Sequence, residues 1–179
     1  MLENIQKLDF MILDGIQEHL RCDFLDAVIP VMTHLGIVIW IALALVFMFV
    51  KKYRLCGISM GAGMITGLLV GNALLKNLIQ RDRPCWINES VQLLVEIPED
   101  FSFPSGHTLA SFISAIVIFR YDKRLGTAAL IFAAFMAFTR LYLYVHFPSD
   151  IFFGALLAAA VAIGVDIAVR KITVKYDLL

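Results

Sequence analysis

The sequence predicts an all-α, polytopic membrane helix bundle with about five transmembrane helices and an N-terminal amphipathic helix at the membrane interface. Of the 179 residues, 60% are hydrophobic and 17% are charged, with a mean hydropathy of +0.83. Soluble domains contain only about 45–50% apolar residues. The apolar residues form long runs separated by short polar stretches. We interpret residues 1–179 as a single membrane-embedded domain.

The first element is an amphipathic helix over residues 1–21. Apolar residues recur there at spacings of three and four, with charged residues between them. The segment is too polar to cross a bilayer, so we place residues 1–26 at the membrane surface. The charges also leave no continuous apolar core for a cleavable signal peptide. Such a helix either packs as a strut against the bundle or covers a site as a lid, and His19 lies on its surface.

The transmembrane bundle is predicted within residues 27–170, because crossing the hydrocarbon core takes about 20 helical residues. The five apolar segments are 27–50, 55–75, 104–119, 125–145 and 151–169. The third is short and starts at Pro104, so its first turn should lie in the interface. Glycines at four-residue spacing in the second segment predict close helix packing. His34 is expected to be buried and hydrogen-bonded to a neighbouring helix, and Asp166 to pair with Arg170.

The distribution of basic residues predicts the orientation. Nine of the 15 lysines and arginines fall, three in each, within 51–54, 120–124 and 170–175, which five crossings place on one side. Basic short loops stay cytoplasmic. We therefore expect an integral protein of a bacterial plasma membrane, with the opposite, extracytoplasmic face carrying the active site. The net charge of zero gives no indication of a nucleic-acid partner, and the expected partners are membrane lipids.

The chain contains three cysteines and one long polar connection. Cys22, Cys56 and Cys85 show no metal-ligand spacing and are interpreted as structural thiols, with a Cys22–Cys85 disulfide as the lesser alternative. We expect no metal and no cofactor. Residues 87–100 are expected to include a short surface helix and to contribute to substrate recognition.

Three polar clusters stand at the outward ends of apolar segments: KNLIQRDRP at 76–84, FSFPSGH at 101–107 and TRLYLYVHFPSD at 139–150. An ionisable group at the bilayer centre costs about 2.5–3.5 kcal/mol on insertion scales, so these groups need partners or a function. Brought together, the clusters supply three cations, two histidines and a carboxylate. This combination is suited to binding and cleaving a phosphate ester.

The clusters divide into binding and catalytic residues. A phosphoryl group in transfer spreads negative charge over three oxygens, which arginine forks, a lysine and free backbone amides at a helix start can stabilise. The predicted phosphate-binding residues are Lys76, Arg83, Ser105, Gly106 and Arg140, with Pro104 in the first turn of the helix. The predicted catalytic residues are His146 as nucleophile, His107 as general acid and Asp150, which would hold the His146 ring in the correct tautomer.

These residues resemble the motifs of the type 2 phosphatidic acid phosphatase (PAP2) family, KxxxxxxRP, PSGH and SRxxxxxHxxxD. They match residues 76–84, 104–107 and 139–150, and only Thr139 departs, standing where the family has serine. The resemblance covers residues 76–150 well, whereas the first 75 residues match only in topology. It implies metal-independent hydrolysis of a lipid phosphate through a phosphohistidine.

The substrate that we prefer is undecaprenyl diphosphate, because an outward-facing site would meet this carrier where it must lose a phosphate. Phosphatidylglycerophosphate, phosphatidic acid and lipid A phosphate are alternatives, and a lipid phosphotransferase would form the same phosphohistidine. Vanadate-dependent haloperoxidases share the motifs but are soluble. An anion transporter, the non-enzyme alternative, would not need the histidine and aspartate pair. The sequence does not indicate an oligomeric state.

Overall fold

The computed structural model describes residues 2–176, which form helices joined by short connections and, within that range, no strand. In chain order the elements are α1 (Leu2–His19), α2 (Asp23–Phe49), a 3₁₀ turn (Lys51–Tyr53), α3 (Arg54–Gly67), a π-helical segment (Leu68–Leu75), α4 (Lys76–Ile79), α5 (Pro84–Ile87), α6 (Gly106–Tyr121), α7 (Lys123–Tyr142) and α8 (Pro148–Tyr176). The predicted all-α bundle is confirmed.

Within residues 2–176, four helical runs are long and apolar enough to cross a membrane. They are Asp23–Phe49, Lys51–Ile87, Lys123–Tyr142 and Pro148–Tyr176. The remaining predicted segment corresponds to α6, whose 16 residues span only about 24 Å at 1.5 Å per residue. It also begins two residues later than expected, because Pro104 precedes the N-cap Ser105 rather than lying in the first helical turn.

Helix α6 lies at the centre of the bundle, in contact with α2, α3, α7 and α8. Glycines on α3 allow it to approach both α6 and α2 closely. A Cβ atom added at Gly67 would lie 2.7 Å from Cδ1 of Ile113, and one at Gly57 would lie 2.5 Å from the backbone nitrogen of Met48 on α2. The glycines therefore let α3 pack against α2 on one side and α6 on the other, as their spacing predicted.

A buried ionic cluster joins three helices at the end of the bundle far from the predicted site. Asp166 is fully buried and accepts hydrogen bonds from Arg170 Nε (3.0 Å), Arg120 Nε (2.6 Å) and Ser59 Oγ (3.1 Å). The predicted Asp166–Arg170 pair is thus present, and it is part of a larger network. Removing the carboxylate would leave the two arginines without their ionic partner.

The prediction for His34 is wrong. Its side chain is exposed on α2, while the adjacent Thr33 is buried and takes the position facing α7. Helix α2 is apolar nearly all round, so its pattern gave little indication of which face points inward.

Helix α1 packs beside the bundle as a strut. Leu13 and Ile16 are buried against the segment between α7 and α8, while Leu8 and Met11 are exposed. The buried face also carries Asp9, which is only 3% exposed. The predicted amphipathic helix is therefore present, and its inward face is partly polar.

The connection at 88–103 contains no helix, so the surface helix expected within 87–100 is wrong beyond the single turn of α5. Its apolar residues explain the irregular path. Val91, Leu93, Leu94 and Val95 all pack against the same buried cluster, which a regular helix would not allow for neighbouring positions. This connection leads directly to the start of α6.

Candidate active site

Six of the eight predicted site residues line one cavity of about 690 Å³. They are Lys76, Arg83, Gly106, His107, Arg140 and His146. The other two, Ser105 and Asp150, are fully buried and lie outside this lining. Side chains from α4, α6 and α7 and from two connections thus meet at one end of the bundle.

The π-helical segment positions the first of these residues. Its wider turns precede Lys76, and such segments are frequent at functional sites. Gln80 then takes a left-handed backbone conformation (φ 50°) and ends α4, so that Arg83 follows in an extended connection. Lys76 is only 5% exposed, so it is a residue of the cavity wall rather than an anchor at the membrane surface.

His146 lies in a buried connection between α7 and α8. Two residues earlier, Tyr144 has a positive φ of 58°, a conformation that non-glycine residues rarely adopt and that is frequent near functional sites. Nε2 of His146 lies 3.2 Å from Nη1 of Arg83. Because arginine can only donate, Nε2 is the acceptor and the ring proton is on Nδ1.

Burial is the main cause that lowers the pKa of His146 to about 3. Asp150 raises this pKa, whereas the positive charges of Arg83 and Arg140 lower it further. The imidazole is therefore neutral at physiological pH. A neutral ring with its lone pair on Nε2 is the form that a nucleophile requires.

Ser102 connects His146 to Asp150. The distance from His146 Nδ1 to Asp150 Oδ2 is 3.8 Å, too long for a hydrogen bond. Ser102 Oγ lies 3.4 Å from Nδ1 and donates to Asp150 Oδ2 at 2.5 Å. The expected direct contact between Asp150 and His146 is thus replaced by a contact through Ser102. This serine lies within FSFPSGH but was not predicted as a site residue.

Arg81 and Asp9 hold this carboxylate in place, and neither was predicted. Arg81 Nη1 donates to Asp150 Oδ1 at 2.5 Å, and its Nη2 donates to Asp9 Oδ2 at 2.8 Å. Asp9 also accepts from the backbone nitrogen of Ser149 at 2.9 Å. Helix α1 is therefore linked ionically to the residues behind the cavity. These partners are 72 residues apart in sequence, so no local pattern indicated them.

Arg83 and Arg140 are held in different ways. Arg83 donates to three backbone carbonyls, those of Val145 (2.7 Å), Asp100 (2.6 Å) and Phe101 (3.4 Å). Arg140 donates from Nη1 to Thr33 Oγ1 at 2.9 Å, whereas its buried Nε has no hydrogen-bond partner among residues 2–176. A buried donor without a partner is costly, and an anion in the cavity would satisfy it.

Ser105 and Gly106 form the start of α6. Ser105 is the N-cap, and its hydroxyl oxygen accepts from Thr108 Oγ1 at 3.0 Å and, at 3.5 Å, from the Thr108 backbone nitrogen. Its own proton remains available for donation. A Cβ atom at Gly106 would lie 2.9 Å from Oδ1 of Asn72, so a larger residue would collide with the cavity wall. The helix start therefore presents backbone at the cavity, where an anion is favoured.

Comparison with known proteins gives the family. The sequence profile of the PAP2 superfamily matches residues 55–173. The chain belongs to the PAP2 superfamily.

An undecaprenyl-diphosphatase of Sulfolobus acidocaldarius is 27% identical over 122 residues, which cover 68% of this chain and 59% of that protein. A decaprenylphosphoryl-5-phosphoribose phosphatase of Mycobacterium tuberculosis is 30% identical over 128 residues, covering 71% of this chain and 70% of that one. The crystal structure of a PAP2-type phosphatidylglycerolphosphate phosphatase from Bacillus subtilis superposes with a TM-score of 0.73 at 28% identity, covering 94% of this chain and 88% of that one. Together with the four apolar helical runs, these likenesses identify an integral membrane protein.

In this PAP2 protein an acidic residue lies among the predicted phosphate ligands. The carboxylate of Asp100 accepts a hydrogen bond from Arg83 Nη2 at 2.5 Å and forms an ion pair with Lys76. Burial alone would raise the pKa of Asp100, but Lys76 and Arg83 outweigh that effect and lower it to about 2. Asp100 is therefore ionised, and it was not among the predicted site residues.

Possible metal ligands and cysteines add little to the site. Among residues 2–176 there is no group of three or more His, Cys, Asp or Glu side chains arranged to hold a metal ion. The three cysteines are free thiols, with Cys56 and Cys85 buried and Cys22 exposed, so the alternative Cys22–Cys85 disulfide is not formed.

Proposed function

We propose that this protein is a membrane lipid phosphatase that removes phosphate from a lipid head group through a phosphohistidine on His146. The observation that carries the proposal is the continuity of the cavity. At one end it is lined by Lys76, Arg83, Arg140 and the two histidines. From there it continues between α2 and α3 along apolar side chains as far as Met48. A phosphate head and an apolar tail therefore have adjoining sites.

The apolar part of the cavity is open to the surrounding membrane. Ile41 and Leu45 on α2 are about half exposed, as are Ile65 and Leu68 on the facing side. The groove follows α2 from Ile37 to Met48, which is about 16 Å at the helical rise of 1.5 Å per residue. A lipid tail can lie there without leaving the hydrocarbon, whereas a soluble sugar phosphate would leave this surface uncovered.

The proposed reaction has two steps. Nε2 of His146 attacks phosphorus, the bond from phosphorus to the leaving oxygen breaks, and His107 gives that oxygen a proton. In the second step His107 removes a proton from water, the hydroxyl forms the new bond to phosphorus, and the bond to His146 breaks to release phosphate. Lys76, Arg83 and Arg140 balance the charge on the three phosphoryl oxygens in both steps.

Within the lipids, we favour undecaprenyl diphosphate, for which the products would be undecaprenyl phosphate and inorganic phosphate. Two of the relatives are named for polyprenyl-linked phosphates, which supports this choice. The structural neighbour named for phosphatidylglycerolphosphate supports the glycerolipid alternative. Phosphatidic acid and lipid A phosphate are further alternatives at the same cavity.

The proposed location is a bacterial plasma membrane with the cavity on the extracytoplasmic face. The basic stretches that indicate the cytoplasmic side occur at the ends of α2, α6 and α8. Contacts between Tyr53 and Asp122 (3.0 Å) and between Arg120 and Asp166 bring these ends together, away from the cavity. The bias of positive charge therefore belongs to one face of the folded bundle.

Initial rates of phosphate release by the purified protein in detergent test the proposal. The panel comprises undecaprenyl diphosphate, phosphatidylglycerophosphate, phosphatidic acid, a lipid A phosphate and a soluble sugar phosphate. We expect the first to be fastest and the sugar phosphate slowest. A clear preference for a glycerolipid monophosphate would overturn the polyprenyl choice.

A second arm separates hydrolysis from transfer and transport. Phosphate release that requires a lipid acceptor would identify a phosphotransferase. The anion-transporter alternative would gain support if no substrate were cleaved and reconstituted vesicles took up phosphate. A His146→Ala protein, purified in parallel, is the control for contaminating phosphatases.

A further inference from the structure

The Asp100 carboxylate occupies a position suited to a phosphate. One of its oxygens contacts Arg83 Nη2 at 2.5 Å, and the other contacts the Lys76 ammonium. Both cations are proposed phosphate ligands, and Asp100 itself lines the cavity. A carboxylate that accepts from two cations with two oxygens imitates two oxygens of a phosphate group.

The Asp100 carboxylate is exposed, whereas the two cations that it contacts are buried. Its side chain is 56% exposed, and it lies in the irregular connection at 88–103. Lys76 and Arg83 are 5% and 2% exposed. Arg83 also donates to the carbonyls of Val145 and of Asp100, and these bonds do not depend on the Asp100 carboxylate. A change in the Asp100 side-chain rotamer would therefore open the cavity without moving Arg83.

The Asp100 carboxylate and a bound phosphate would compete for the same positive charges. Lys76, Arg83 and Arg140 supply three positive charges, and the Asp100 carboxylate cancels one of them. A phosphate that contacts the same two cations would lie within a few ångströms of the carboxylate, and the two like charges repel. Resting on the phosphatase function proposed above, we propose that Asp100 is a built-in competitor for phosphate. It fills the phosphate position between turnovers, lowers the affinity for inorganic phosphate, and promotes product release.

Binding of inorganic phosphate, measured by isothermal titration calorimetry on the purified protein in detergent, tests this role. The variants are Asp100→Asn and, as a matched control, Glu99→Gln, which removes the same charge from the exposed neighbouring residue. Loss of one unit charge next to the anion should lower the Kd of Asp100→Asn about five- to tenfold. The Kd of Glu99→Gln should stay within about twofold of the wild-type value, because its charge lies in solvent.

A raised Kd for phosphate in Asp100→Asn would indicate that Asp100 has a structural role instead. If Asp100 mainly holds Lys76 and Arg83 in place, its loss would disorder them and raise the Kd. A Kd that is raised or unchanged in Asp100→Asn overturns the proposal. Asp100→Ala, which also removes the acceptor oxygens, should show the same tightening, and unchanged melting temperatures of both variants would exclude unfolding as the cause.

Product inhibition provides a check during turnover. The inhibition constant of inorganic phosphate should fall in Asp100→Asn by the same factor as the Kd. The calorimetric measurement uses no lipid, so it can fail independently of the proposed function. Absence of lipid hydrolysis by the wild-type protein would refute the phosphatase proposal, whereas an active wild type with an unaltered Kd in Asp100→Asn would refute only the role of Asp100.

Discussion

Replacing Ser102 with alanine should lower the rate of the chemical step without weakening substrate binding. Ser102 is fully buried, donates to Asp150 Oδ2 and lies 3.4 Å from Nδ1 of His146. It does not line the cavity, so it has no direct contact with a substrate there. Its hydroxyl therefore bridges the nucleophile and the carboxylate.

The magnitude follows from the bonds that are lost. A hydrogen bond to a charged group contributes about 1.5–3 kcal/mol. If that energy fixes the His146 tautomer and ring orientation in the transition state, kcat should fall about 10- to 100-fold, at roughly tenfold per 1.4 kcal/mol. KM should change little, because the phosphate ligands and the apolar groove are intact.

Steady-state kinetics on the best lipid substrate would measure both constants. Ser114→Ala is the matched control, since Ser114 is also fully buried but its hydroxyl has no hydrogen-bond partner among residues 2–176. That variant should keep the wild-type kcat. If Ser102→Ala kept it as well, the contact through Ser102 would not contribute to catalysis, and the tautomer of His146 would be set by Arg83 alone.

Three further predictions follow from the same contacts. Activity should be undiminished by EDTA, because side-chain cations balance the phosphoryl charge; loss on chelation and recovery with a divalent ion would contradict this. The topology can be tested with an impermeant thiol reagent in intact cells, using a Cys22→Ser background that removes the exposed native thiol. In that background Glu96→Cys should be labelled and Lys123→Cys should not. The reverse labelling would overturn the topology. Asp9→Asn should lower the free energy of unfolding by about 1–3 kcal/mol, because Arg81 loses an ionic partner. The change would be measured as a lower unfolding midpoint. Glu18→Gln, at an exposed position of the same helix, should leave the midpoint unchanged.

The sequence predicted the helical bundle and the residues around the cavity because both depend on local patterns. The long apolar runs required helices, and the polar clusters stand where those helices end. Lys76, His107 and Arg140 therefore had to lie at the same end of the bundle. The glycine spacing on α3 predicted its close packing for the same local reason.

What could not be predicted depends on long-range contacts and on irregular backbone. Asp100 and Ser102 belong to a connection without periodicity, so their approach to the cations and to His146 had no signature. Asp9 was only one polar residue of an amphipathic helix until its pairing with Arg81 was seen. The choice of Thr33 over His34 as the inward residue of α2 depended on helix rotation, which an almost uniformly apolar helix does not specify.

The most direct test of the central claim is to trap the phosphorylated intermediate. The protein would be mixed for milliseconds with a substrate labelled with ³²P in the phosphoryl group to be transferred, quenched in alkali and digested, and the labelled peptide identified by mass spectrometry. We predict acid-labile phosphate on His146, absent from His146→Ala, with His107→Ala still labelled by a substrate with a good leaving group but slow to release phosphate. Full turnover by His146→Ala, or label on a different residue, would contradict the proposed mechanism.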